Sequence, residues 1–230
     1  MKTITGEREA EGSLDAQVTT TPQARQTGNR LPKPARRRQL LAAAQEVFVA
    51  QGYHAAAMDD IAERAGVSKP VLYQHFPGKL ELYLALLDES GEALTATIRN
   101  ALASTTDNKQ RVTATFQAFF DFVTDTGGAF RLVFESDLRN EPAVRDRLDQ
   151  TMRDHADMIS EVIREDTGMS DAEAHLLSIG LVGMARISAT YWLGTDRAIP
   201  KDAAEQLMAR LAWRGISGWP RASDPAAADQ

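Results

Sequence analysis

Apolar residues recur every three or four positions along most of the chain after residue 33, and this spacing predicts helices. Alternating apolar and polar runs are too short to predict a strand. The sequence therefore predicts an all-α protein, with three short helices followed by a longer helical bundle. The predicted helices cover approximately residues 34–51, 58–65, 68–76, 79–104, 108–126, 128–137, 142–166, 171–193 and 201–217.

Residues with strong positional preferences mark the ends of these helices. Ser170, followed three residues later by Glu173, forms a capping-box pattern, and Ala57 stands where a capping Ser or Thr is expected. The other boundary signals are side-chain caps, a proline in a first turn and terminal glycines. They are Gly52, Ser68, Asp107, Pro142, Gly168 and Gly194.

Charge is distributed unevenly along the 230 residues, although the net charge of −6 argues at first against nucleic acid as a partner. Residues 1–80 contain 11 Lys and Arg against 8 Asp and Glu, whereas residues 81–230 contain 15 against 24. Between Asp15 and Glu46 every charged side chain is basic. This segment is either a solvated disordered tail or an arm that faces a polyanion.

The stretch "AGVSKPVLYQHFPGKLEL", residues 65–82, predicts two short helices joined by a turn that contains Gly66. Leu72 and Phe76 are four residues apart and point inward, which leaves polar groups on the outer face of the second helix. A helix-turn-helix that reads a DNA major groove explains this surface, and a polar surface helix is the alternative. The predicted DNA-contacting residues on this helix and at the start of the next are Lys69, Pro70, Val71, Tyr73, Gln74, His75 and Lys79.

Residues 36–87, including "GYHAAAMDDIAERAGVSKPVLYQHFPGKLELYLALL", resemble the DNA-binding domain of the TetR family of regulators. The resemblance implies that the third helix reads the major groove and that Arg36 and Arg37 contact phosphate. It implies four segments: a disordered basic arm over 1–33, the helix-turn-helix domain over 34–80, an effector-binding and dimerisation domain over 81–219, and a disordered tail over 220–230. Ala57 departs from the Thr or Ser usual in the family, which removes one side-chain phosphate contact.

Two apolar stripes follow the fourth and fifth helices, and they form either an ordinary core or the lining of a long tunnel. They comprise Leu87, Gly91, Leu94, Ile98 and Leu102, and then Val112, Phe116, Phe119, Phe120 and Val123. Fragments such as "RLPKP", "TTDNKQR", "QAFFDF" and "FRLVFESD" resemble long-chain acyl-CoA-responsive regulators of fatty-acid synthesis within the same family. That resemblance implies acyl-CoA as effector, no cofactor, and a lipid cavity, but it assigns no residue to the coenzyme A end. The candidate lining residues are Leu94, Ile98, Leu102, Phe116, Phe119 and Phe134.

Small residues on the last two helices predict either intrachain packing or a homodimer interface. They include Gly180, Gly183 and Ala189, with Leu207 and Trp213 on the final helix. A two-fold dimer predicts a palindromic operator in double-stranded DNA with half-sites about 34 Å apart. The most apolar run, residues 176–194, is interrupted by Arg186, so we expect no membrane span and a cytoplasmic protein.

Catalytic and metal chemistry find little support in the sequence. The chain has no cysteine, no phosphate-binding glycine motif and four histidines whose spacing fits no metal motif. His155 between Asp154 and Asp157 suggests either a metal site or a solvated helix face. We therefore expect no enzyme and no metal site. The predicted function is a DNA-binding regulator of lipid synthesis genes that long-chain acyl-CoA releases from its operator. The alternatives are a repressor that responds to another hydrophobic molecule and a DNA-binding protein with a filled core.

Overall fold

The structure, a computed structural model, describes residues 31–125, 128, 138, 140–195 and 198–215. Within these residues the chain forms eight helices and no strand, which confirms the predicted all-α class. The helices are α1 (Lys33–Ala55), α2 (Met58–Arg64), α3 (Lys69–His75), α4 (Lys79–Ala103), α5 (Asn108–Asp125), α6 (Pro142–Thr167), α7 (Asp171–Gly194) and α8 (Lys201–Arg214).

Most predicted boundaries agree with the structure to within two residues, because local capping chemistry determines them. Ser170 and Glu173 form both hydrogen bonds of the capping box at the start of α7. Gly168, with φ of 68°, closes α6 in the left-handed conformation. The last helix was predicted to reach residue 217 but ends at Arg214, since Gly215 adopts a φ of 64°. The helix predicted over 128–137 lies almost wholly outside the described residues.

The regular helical backbone of α1 breaks at Gly52, where the sequence predicted the helix to end, and a short helical segment continues beyond this kink to Ala55. The Gly52 φ of 75° and ψ of 166° belong to a region that side-chain-bearing residues rarely occupy. The bend places the Tyr53 ring against Phe48, with a centroid distance of 5.8 Å, and Tyr83 of α4 packs edge-on against both rings. This aromatic cluster attaches the start of α4 to α1.

A continuous set of buried side chains extends from the three short helices through α4 into the bundle. In the three-helix head, Leu40, Ile61 and Leu72 have no exposed surface. Further along, α4 packs against α5 and α6, and α6 packs along α7. The helix α4 is therefore a shared element of the head and the bundle: it packs against α1 and follows α3 after a connection of three residues.

The helix α7 carries an apolar face that this chain leaves uncovered. Leu176 and Tyr191 are each 73 % exposed, and Ile187 is 63 % exposed. By length and composition alone, α7 would be able to cross a membrane, although few residues of its most apolar window are buried in this chain. An added Cβ at Gly180 or Gly183 would meet no atom within 4 Å, so space remains beside both glycines.

Candidate DNA-binding surface and effector cavity

The helix α3 separates its buried and exposed residues as a major-groove helix requires. Leu72 is fully buried and Phe76 is 2 % exposed, which secures the inner face. Tyr73 is 47 % exposed, although its ring is large and apolar. On the outer face Lys69, Pro70, Tyr73 and Gln74 are exposed, and Val71 and His75 are partly buried at its edges.

Lys69 is held by an acidic neighbour across the turn between α2 and α3. Its Nζ donates a hydrogen bond to Asp59 Oδ2, and both side chains are more than half exposed. This hydrogen bond raises the pKa of Lys69. In DNA-free protein Asp59 therefore holds the Lys69 ammonium, and a contact to a phosphate or base would have to displace this hydrogen bond.

Basic groups converge where the start of α1 meets the end of α3. The Arg37 guanidinium lies 4.6 Å from the centroid of the Phe76 ring, and Arg36 Nη1 donates to Gln39 Oε1 at 2.7 Å. Burial lowers the pKa of His75, and the charges of Lys33, Arg37 and Arg36 lower it further. A positive surface beside a helix that presents polar groups is suited to DNA phosphates.

Lys79, predicted to contact phosphate, occupies a structural position in this protein. Its Nζ donates to Tyr53 O at 2.8 Å, Ala56 O at 2.8 Å and His54 O at 3.3 Å. The ammonium also lies 4.5 Å from the centroid of the Tyr53 ring. These contacts use all three N–H donors to join α4 to the end of α1, and a phosphate contact by Lys79 stays a prediction.

Behind the head, α4, α5, α6 and α7 line a partly open apolar cavity of about 210 Å³, with Trp213 of α8 at one side. Among the predicted lining residues, Ile98, Leu102, Phe116 and Phe119 lie on its wall. Leu94 does not; it is fully buried in the core one helical turn earlier on α4. Phe134 lies outside the described residues.

Sequence reasoning missed the half of the cavity wall that α6 and α7 provide. Ile159, Val162 and Ile163 of α6 line it, together with Leu181 and Val182 of α7. The i, i+3, i+4 spacing on α6 was a usable signal. However, the charged residues between these positions obscured the stripe, and only the packing shows that it faces α5.

Polar groups are few in this cavity, and each has a distinct environment. Arg111 forms an ion pair with Asp166 at 2.7 Å and also donates to the Thr105 carbonyl at 2.8 Å. Thr115 Oγ1 is buried and has no hydrogen-bond partner within the described residues. The cavity therefore offers one unsatisfied hydroxyl in a largely apolar wall.

His155 connects the cavity wall to α4. Thr95 Oγ1 donates to Gly91 O at 2.8 Å, so it accepts the hydrogen bond from His155 Nε2, 2.9 Å away. Burial lowers the pKa of His155 to about 4, so the ring is neutral at pH 7. The neighbouring carboxylates have other partners: Asp154 accepts from Gln150, and Asp157 lies 3.3 Å from His175. The described part of the chain contains no group of three potential metal ligands.

Comparison with known proteins places this arrangement among bacterial regulators. The family model for bacterial regulatory proteins of the tetR family matches residues 40–86. The chain is 49 % identical to the HTH-type transcriptional activator FasR of Mycolicibacterium smegmatis over 193 residues. These aligned residues cover 84 % of this chain and 88 % of that protein.

Solved structures agree on the fold. A TetR-like transcriptional regulator from Rhodococcus sp. RHA1 is 26 % identical, with a TM-score of 0.67 over 83 % of this chain and 100 % of that chain. The regulator FadR from Bacillus subtilis, solved in complex with stearoyl-CoA, has a TM-score of 0.65 at 20 % identity, over 78 % of this chain and 98 % of that one.

Proposed function

The chain belongs to the TetR family of bacterial regulatory proteins, and we propose that this DNA-binding regulator controls fatty-acid synthesis genes and leaves its operator when long-chain acyl-CoA binds the bundle cavity. The 49 % identity to FasR supports the lipid assignment. One solved relative of the same fold holds stearoyl-CoA, which supports the ligand class. The Arg36, Arg37 and α3 surface would contact the operator.

The observation that carries this proposal is the position of the cavity against α4. Ile98 and Leu102 of α4 form part of its wall, and the first turns of the same helix pack against α1 in the head. A molecule in the cavity therefore contacts a helix that packs on α1 of the head and follows α3 after a connection of only three residues. Ligand occupancy would change the separation of the two DNA-reading heads in a dimer.

The size of the cavity supports this coupling. An apolar cavity of about 150 Å³ is large enough for benzene, whereas ligand pockets span roughly 300–1,000 Å³. At about 210 Å³ the cavity is smaller than these pockets, and we propose that it widens when a long acyl chain enters. Widening would displace α4. The binding free energy that offsets this displacement comes from the acyl chain, since each CH₂ group that it buries contributes roughly 0.8 kcal/mol. A preference of about 1–3 kcal/mol for the widened state would change operator affinity roughly five- to 150-fold.

The homodimer that binds a palindromic operator would form through α7 and α8. The exposed apolar face of α7 and the open space beside Gly180 and Gly183 support this interface, since both features suit close approach of a partner helix. Ala189, predicted to contribute, is fully buried within its own chain. On α8, Leu207 is 40 % exposed and Trp213, which also borders the cavity, is 47 % exposed, so both would add apolar surface to this interface.

We propose that the predicted segments separate operator binding from effector binding. We assign operator binding to 34–80 and effector binding with dimerisation to 81–219, and we propose that the basic segment 1–33 adds phosphate contacts. Deleting residues 1–33 should weaken operator binding and reduce its dependence on salt concentration. Since the protein acts on chromosomal DNA, we place it in the cytoplasm.

Operator release in solution tests the proposal. Fluorescence anisotropy of DNA from upstream of fatty-acid synthesis genes should fall as palmitoyl-CoA is added to the complex, and coenzyme A alone should have no effect. Ile98→Phe, which fills part of the cavity, should raise the palmitoyl-CoA concentration needed. Ala96→Phe, at an exposed position two residues away on the same helix, is the matched control. An operator complex that ignores palmitoyl-CoA would contradict the proposal and favour a different hydrophobic effector.

A further inference from the structure

A basic cleft of about 190 Å³ lies beside the apolar cavity, between α5 and α8. Lys109 and Thr113 line it from α5, and Arg210, Trp213 and Arg214 line it from α8. Trp213 also lines the apolar cavity, so one indole ring borders both spaces. A ligand with an apolar and an anionic end would be able to occupy both.

The charge of this cleft contrasts with the rest of the bundle. Residues 81–230 are acidic overall, yet the cleft brings together Lys109, Arg210 and Arg214, and no acidic side chain belongs to its described lining. Within the described residues neither Lys109 nor Arg214 forms an ion pair. The charges of Lys109 and Arg214 are therefore available to an anion.

Helix electrostatics explains some of these cations but not all. Arg214 lies in the last turn of α8, where a cation interacts favourably with the helix dipole. Lys109 lies in the first turn of α5, where a cation is unfavourable and an anion is favoured. The start of α5 and the cleft cations thus favour the same type of ligand, a negatively charged group.

Resting on the proposed function, we infer that this cleft binds the phosphorylated nucleotide end of acyl-CoA while the acyl chain occupies the adjoining cavity. Lys and Arg bind phosphate through charge-assisted hydrogen bonds, and the flat face of Trp213 offers a surface for the adenine ring. The sequence had offered no residue for this end of the ligand. Folding supplies it by bringing the start of α5 against the end of α8.

Binding of two probes to the full-length protein tests the inference. Palmitoyl-CoA and S-palmitoyl-pantetheine carry the same acyl chain, but the second probe lacks all phosphates and the adenine. Isothermal titration calorimetry below micelle-forming concentrations would measure Kd for wild type, Lys109→Met and Arg214→Met. The control Arg153→Met removes an equal charge from an exposed position on α6 outside the cavity and the cleft.

We expect each cleft variant to weaken palmitoyl-CoA binding about tenfold and to leave palmitoyl-pantetheine binding unchanged. The control should bind both probes as wild type does, and added salt should reduce the wild-type preference for palmitoyl-CoA. Cleft variants that bind palmitoyl-CoA with wild-type affinity would overturn the inference. Wild-type protein that binds both probes equally would overturn it as well.

Operator anisotropy measured in parallel separates this inference from the proposed function. Tight palmitoyl-CoA binding that depends on Lys109 and Arg214 but leaves the operator complex intact would support the cleft and contradict ligand-controlled release. If palmitoyl-CoA releases the operator and the cleft variants have no effect, the result would support ligand-controlled release and contradict the cleft. If neither probe binds, both proposals fail.

Discussion

Replacing Lys79 by Met tests whether this lysine holds the head to α4. The substitution keeps an unbranched apolar stem and removes the ammonium group that donates to three carbonyls at the end of α1. Because those carbonyls lie at a kink near Gly52, no helical N–H replaces the lost donors. We expect the variant to fold with reduced stability.

The magnitude follows from the two shorter contacts. Hydrogen bonds to a charged group contribute about 1.5–3 kcal/mol each. The contacts to Tyr53 O and Ala56 O are partly buried and 2.8 Å long, whereas the one to His54 O is exposed and longer. Counting the first two at the lower value gives about 3 kcal/mol. For a chain of this size that corresponds to a decrease in Tm of roughly 6–12 °C.

Urea denaturation followed by circular dichroism would measure the free energy of unfolding, with Lys69→Met as the matched control. The Lys69 ammonium pairs with exposed Asp59, so its loss should change stability little. The salt dependence of operator binding should be measured on both variants, because each phosphate contact contributes nearly one unit to its slope.

The structural assignment of Lys79 would be refuted by a particular pair of results. The refuting pair is a Lys79→Met variant that unfolds at the same urea concentration as wild type and whose operator binding has a salt-dependence slope smaller by about one. That combination would show that the ammonium leaves its carbonyl partners to contact phosphate, as the sequence had suggested.

Three further predictions use other parts of the structure. Lowering the pH from 6.5 to 4 should reduce the free energy of unfolding by up to about 3 kcal/mol through His155. The reason is that His155 takes up a proton in the unfolded chain but resists protonation in the folded one, where burial lowers its pKa to about 4. In urea denaturation the His155→Gln variant should lack this part of the loss. Gly183→Leu should yield a folded monomer in native mass spectrometry, because a Cβ at this position meets no atom of its own chain within 4 Å whereas the larger side chain obstructs a partner helix. A stable dimer would place the interface elsewhere. Asp59→Asn should release Lys69 and strengthen operator binding at low salt, and anisotropy showing weaker binding would mean that Asp59 positions the lysine productively.

The sequence by itself determined the features that depend on near neighbours along the chain. Helical spacing and capping residues such as Ser170 and Gly168 gave the helices, since hydrogen bonds within one turn decide where a helix begins and ends. The helix-turn-helix also came from local signals, because the turn at Gly66 and the buried positions of Leu72 and Phe76 lie within a dozen residues.

Tertiary structure alone decided which faces meet and which tasks individual side chains have. Only packing shows that α6 completes the cavity wall, that Leu94 lies outside it, and that the Lys79 ammonium is occupied by carbonyls 23–26 residues earlier in the chain. The basic cleft likewise joins Lys109 to Arg214, which are more than 100 positions apart. Such contacts follow from how whole helices fit together, and periodicity within one helix carries no information about which partner it will meet.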